Sequence, residues 1–234
     1  VQQLPILHTL NAKELRQLRE LTSKFLFAKA ITGGNELNLS DEIKVSIAAQ
    51  ASLLIFGLSF DYYDDWYEVI VYPDTFVVSR DETDEYGIVH KTRSVLEGEA
   101  WGRGPVVLSW ADSQRDATAN TNGSNVVLHE FAHKLDMRNG AANGMPPLHA
   151  DMDRTHWTTA LTLAYEDFVN RGQRGIETAI DPYAAKDPAE FFAVLSEVFF
   201  VSPTLLKEQY PNVYHQFVQF YRQDPLARLG ASRT

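Results

Sequence analysis

Apolar residues recur at helical spacing at the start of this 234-residue chain, take on strand texture in its middle, and return to helical spacing towards its end. Between Asn11 and Lys29, Leu15, Leu18, Leu21, Phe25 and Leu26 recur every three or four residues, which predicts an amphipathic helix. Ser40, followed by Asp41 and Glu42, reads as an N-cap and an acidic first turn and predicts a second helix running to about Phe56. From Tyr67 to Trp110, β-branched and aromatic runs alternate with turn residues, and 68–72, 75–79, 88–93 and 106–110 are predicted as strands of a small, mostly antiparallel sheet. Helical spacing resumes around His129 and over 153–170, 187–201 and 212–223. A sheet followed by helices predicts an α+β fold. No repeat, low-complexity tract or linker divides the chain. It is expected to form one unit over 1–234, with a helical part at 1–60, the sheet at 65–112 and further helices at 121–234.

Composition narrows the classes. With 44% hydrophobic and 12% aromatic residues the chain is globular, not disordered. Its formal charge of −10, from 31 acidic against 21 basic residues without a run of Lys and Arg, argues against direct nucleic-acid binding. No apolar run reaches the roughly 20 residues of a bilayer span, so no membrane partner is expected. The nearest, Val45 to Leu58, is interrupted by Ser46, Gln50 and Ser52. The absence of cysteine removes disulfides and thiolate metal ligands and suits a reducing compartment, so a cytoplasmic location is expected.

The chemistry concentrates at His129-Glu130-Phe131-Ala132-His133. On a helix the two histidines lie about 6 Å apart along the axis and about 40° apart around it, so both rings can reach one metal ion. Glu130 points away from that shared face and can act as a base on water. Residues 121–125 (Thr-Asn-Gly-Ser-Asn) offer N-caps upstream and Asn139-Gly140 a stop downstream. Val126, Val127, Phe131, Ala132 and Leu135 make the helix largely apolar, and a buried helix would strand its His, Glu and Asp136 side chains unless something pairs them. A zinc ion is the simplest partner, and zinc-assisted hydrolysis the implied chemistry.

Two histidines leave a catalytic zinc one protein ligand short. A third histidine within the motif is excluded, because Asp136 stands where a HExxHxxGxxH sequence has glycine and Asn139 where it has histidine. A later glutamate is the other solution, and Glu190 lies on a very apolar helix beginning at Asp187-Pro188. Spacing alone leaves three readings open: Glu190 as ligand, Glu190 as the N3 partner of an Asp187 capping box, or His149 as ligand. Glu197, on the same face as Glu190, could accept from the free ring N–H of a ligand histidine or serve a structural bond. The loop 139–149 either borders a cleft or simply connects, and Gly102 and Gly104 before Pro105 read as a turn, not a phosphate loop.

The blocks HEFAHKLD at 129–136 and DPYAAKDPAEFFAVLSEVFF at 181–200, with GPVVLSW at 104–110, resemble the MtfA (Mlc titration factor A) family, whose zinc-site arrangement is similar to that of the anthrax lethal factor peptidase domain. The resemblance implies a zincin-like fold and a cytosolic zinc peptidase of aminopeptidase type that also binds the repressor Mlc. It further implies zinc held by His129, His133 and Glu190, with Tyr183 facing the substrate. On that reading Glu130 is the general base and Tyr183 donates to the oxyanion, while the pattern of the strand 106–110 fits equally a cleft edge that pairs with a peptide substrate and an ordinary interior strand. Two other classes compete: a non-catalytic regulatory protein that sequesters a transcription factor, and a zinc hydrolase of non-peptide amides.

Overall fold

Local capping starts the first long element. In the computed structural model, which describes residues 4–73, 76–83, 89–96, 98–100, 104–118 and 123–231, the Asn11 side chain accepts from the backbone N–H groups of Lys13 and Glu14. Glu14 returns a bond to the Asn11 N–H at 2.9 Å, completing a capping box at the head of α1 (Ala12–Ala28). Its other oxygen accepts from Arg228 at 3.1 Å, which ties the two ends of the described chain together. Leu18, Thr22 and Phe25 form the buried face of α1. The backbone turns extended at Lys29 and continues as β1 (Ala30–Gly33), a strand the hydrophobic pattern does not announce. The Ser40-capped α2 (Asp41–Leu54) then carries the chain back to β2 (Glu68–Tyr72).

The sheet departs from expectation. β1 and β2 pair in parallel, and so do β2 and β6 (Val106–Ser109). Only the short β5 (Gly98–Ala100) runs antiparallel to β6, in the order β1-β2-β6-β5. β3 (Phe76–Thr83) and β4 (Val89–Leu96) form a separate antiparallel hairpin. The predicted mostly antiparallel sheet is therefore corrected to a largely parallel one with a hairpin inserted between β2 and β6. The physical reason is visible in β6: all four residues are buried, as in a strand covered on both faces. β6 has partners on both sides, so of the two readings of 106–110 the interior strand holds and the substrate-pairing edge does not; among the described residues the sheet ends at β1 and β5. Trp110 begins α3 (Trp110–Thr118) instead of ending a strand.

The remaining elements are α4 (Val126–Asp136), α5 (Arg154–Gln173), α6 (Pro188–Val201), α7 (Pro203–Gln209), α8 (Pro211–Tyr221) and α9 (Pro225–Ala231). The buried apolar residues form one continuous cluster with two aromatic concentrations. Phe25, Tyr63, Trp66 and Phe131 meet at centroid distances of 5.4 to 6.0 Å and lock α4 onto α1. Trp157, Phe192, Phe217 and Phe220 do the same for α5, α6 and α8 at 5.5 to 6.3 Å. Such pairs contribute about 0.5–1.5 kcal/mol each beyond area burial. α4 and α6 therefore face each other from two firmly packed halves.

Candidate metal centre

The head of α4 is fixed by three hydrogen bonds. Of the expected caps, Thr121 and Asn122 lie outside the described residues, and Asn125 is the N-cap, its Oδ1 accepting from the Leu128 N–H at 2.9 Å. Its Nδ2 donates to Gln50 of α2 at 2.7 Å, and its backbone N–H donates to Glu197 of α6. The tail of α4 is held as well. Buried Asp136 accepts from the N–H groups of Asn143 and Gly144, both at 2.7 Å, which folds the 139–149 loop back against the structure. Gly144 needs its positive φ of +76°, and a Cβ there would lie 2.6 Å from the Pro188 carbonyl oxygen. The loop thus buttresses the first turn of α6. Gly102 lies outside the described residues, while the Gly104 carbonyl accepts from Lys134 of α4 at 2.7 Å.

These constraints bring three side chains to one point. His129 Nε2 and His133 Nε2 are 3.2 Å apart, and Glu190 Oε2 lies 3.0 Å from the first and 3.1 Å from the second. A tetrahedral ion with bonds of about 2.0–2.1 Å has ligand atoms about 3.3 Å apart, so this triangle fits one. The donor chemistry fits too, because imidazole nitrogens and a carboxylate oxygen are the ligand atoms that zinc takes. His129, His133 and Glu190 could therefore hold a metal ion. Asp187 caps α6 by accepting from Ala189 and Glu190, both at 2.9 Å, but the Glu190 carboxylate turns to the histidines instead of back to the cap. His149 is not in the cluster: its Nε2 lies 2.8 Å from the Phe220 carbonyl oxygen and its ring stacks on Phe220.

Around the triangle, Glu197 Oε1 sits 2.7 Å from His129 Nδ1, so that nitrogen donates and Nε2 is left to face the site. Burial would lower the His129 pKa, but the hydrogen bonds to Glu190 and Glu197 outweigh it and raise it well above the usual value. Burial lowers that of His133. Burial also pushes Glu190 upwards, yet its bonds to both histidines hold it well below the ordinary carboxylate range. Glu130 is buried, its Oε2 has no hydrogen-bond partner among the described residues, and burial lifts its carboxyl to about 8. A buried carboxyl oxygen without a partner is costly unless something binds beside it, and a cation held by the neighbouring ligands would favour its ionised form.

Tyr183, expected to face a substrate, is 43% exposed, so it is not a core tyrosine. Its hydroxyl donates to Glu190 Oε1 at 3.0 Å and its ring centre lies 6.1 Å from that of His129. Lys186, not picked out in the sequence, donates to the same Glu190 oxygen at 2.8 Å and to the Tyr183 hydroxyl at 2.9 Å. Its signal was the spacing of Tyr183, Lys186 and Glu190 at i, i+3 and i+7.

Comparison with known proteins is consistent with this geometry. The sequence profile of the glucose-regulated metallo-peptidase M90 family matches residues 1–222. Proteins called Mlc titration factor A from Yersinia pestis (strain Pestoides F) and Yersinia pseudotuberculosis (serotype O:3, strain YPIII) are each 42% identical to the chain over 229 residues, covering 97% of it and 84% of their own length.

Proposed function

The chain belongs to the glucose-regulated metallo-peptidase M90 family, and on that premise we propose that it is a zinc-dependent peptidase of aminopeptidase type. The observation that carries this reading is the pairing of a three-ligand cluster with a buried, unpartnered Glu130 oxygen. A closed structural site would have four protein ligands and no need of an adjacent base. His129, His133 and Glu190 would hold the ion, which when bound supplies Lewis acidity to water and to the substrate carbonyl. Glu130 takes a proton from the attacking water and returns it to the leaving amine nitrogen. Tyr183 turns its hydroxyl from Glu190 to the developing oxyanion, a movement its exposure permits. Residues 1–234 act as one zincin-like peptidase domain, supported by the continuous core.

Glu130→Gln tests the mechanism: metal content by elemental analysis stays at one equivalent while hydrolysis of small peptides falls by about a thousandfold or more, the scale of losing a general base together with its charge. Retained activity would sink the assignment.

A second role rests on the relatives called Mlc titration factor A: binding of the repressor Mlc in the cytoplasm, where such a repressor works. No described helix is long and apolar enough to cross a membrane. Capture of Mlc by Glu130→Gln protein would separate regulation from catalysis, and loss of capture with loss of hydrolysis would join them.

A further inference from the structure

The two oxygens of Glu190 have divided surroundings. Oε2 faces His129 and His133 at 3.0 and 3.1 Å. Oε1 faces away from them and accepts from the Lys186 ammonium at 2.8 Å and the Tyr183 hydroxyl at 3.0 Å. Lys186 also donates to Tyr183 at 2.9 Å, closing a three-membered ring of polar groups. We propose that Lys186 is a positioning residue that keeps Glu190 a one-oxygen ligand and holds Tyr183 at the mouth of the site; the inference rests on the metallopeptidase reading above.

The physical case is one of competition. A carboxylate beside a divalent ion can bind through one oxygen or through both. An ammonium at hydrogen-bond distance from Oε1 favours the one-oxygen mode, because rotating Oε1 to the ion would break a charge-assisted bond. Tyr183 alone is a neutral and weaker competitor. Lys186 ends the 3-10 turn 182–185 and precedes the Asp187 cap, so its backbone is fixed by the junction that also aims Glu190. Its side chain remains 53% exposed, so removing it opens no cavity and the fold does not depend on it. The ammonium also offsets charge where Glu130 and Glu197 are both buried beside the ligands.

The test uses cobalt(II) in place of zinc in the whole chain, with Lys186→Met and Lys186→Arg beside the parent. Cobalt(II) absorbs visible light several times more strongly with four ligands than with five, so its spectrum reports whether Glu190 binds through one oxygen or two. The parent should give the strong four-ligand bands, Lys186→Met bands weakened several-fold, and Lys186→Arg bands of parental strength. Alongside, kcat of Lys186→Met should fall about tenfold with KM nearly unchanged, the size usual for loss of a group that orients a ligand. A parental spectrum in Lys186→Met, or equal loss in both variants, overturns the positioning role. Failure of the parent to take up cobalt overturns instead the metal reading on which it rests.

Discussion

At the scale of single residues, the carboxylates around the candidate site have different surroundings. Glu197 accepts from His129 Nδ1 and from the Asn125 N–H, so both of its oxygens face donors. Glu197→Gln would turn an NH2 group towards one of those donors, and metal affinity measured by chelator competition should fall about tenfold. Affinity equal to the parent would mean that Glu197 does not orient His129. Asp136 works by other physics. Burial raises its carboxyl from 3.8 to about 6, although the bonds from Gly144 and Asn143 pull the other way. The folded chain therefore holds this proton more tightly than the unfolded one. Its contribution to stability is full below pH 3.8 and is lost as pH rises through about 6. Two pH units correspond to about 3 kcal/mol. Asp136→Asn cannot titrate, so its stability relative to the parent should improve by up to about 3 kcal/mol between pH 4 and 7 in urea unfolding. A constant difference across that range would show the carboxyl ionised throughout.

At the scale of elements, α4 and α6 are aligned by devices outside the site. The 139–149 loop leaves one helix and lies against the start of the other, with Trp157 donating to the Gly144 carbonyl at 3.1 Å. Gly144→Ala would meet a left-handed backbone and a contact with the Pro188 carbonyl, costing about 2 kcal/mol or more, seen as a lowered urea midpoint at unchanged slope. The caps on Ser40 and Asp187 were legible in the sequence because a cap is a local bond between neighbours. The pairing of β1 with β2 was not, since four residues, Ala-Ile-Thr-Gly, carry no period and their partner lies 38 residues away. α7 was not predicted: it is only seven residues long, too short to show a helical period, and it opens at Pro203 as α8 opens at Pro211. In the site, His129, Glu130 and His133 were legible from one helical turn. The turning of Glu190 from its cap, and the bridging by Lys186, arise only once α6 is packed against α4.

At the scale of the whole molecule, the candidate ligands belong to two differently supported halves. His129 and His133 ride on α4, whose Phe131 packs with Phe25, Tyr63 and Trp66 beside the sheet. Glu190 rides on α6, whose Phe192 packs with Trp157, Phe217 and Phe220. An ion held by all three would therefore join the halves, and unfolding would have to release it. With free metal at about a thousand times its dissociation constant, this linkage adds about 4 kcal/mol of stability. For a chain of this size 1 kcal/mol moves Tm by about 2–4 °C, so excess chelator should lower Tm by roughly 8–16 °C in calorimetry. Glu130→Gln, which keeps every ligand, should show the same drop. Glu190→Ala should begin near the metal-free Tm and hardly respond to chelator, because with one ligand lost the ion is held too weakly to add stability. A parent Tm indifferent to chelator would mean that the folded chain binds no ion tightly, and the three-ligand site across α4 and α6 would have to be abandoned.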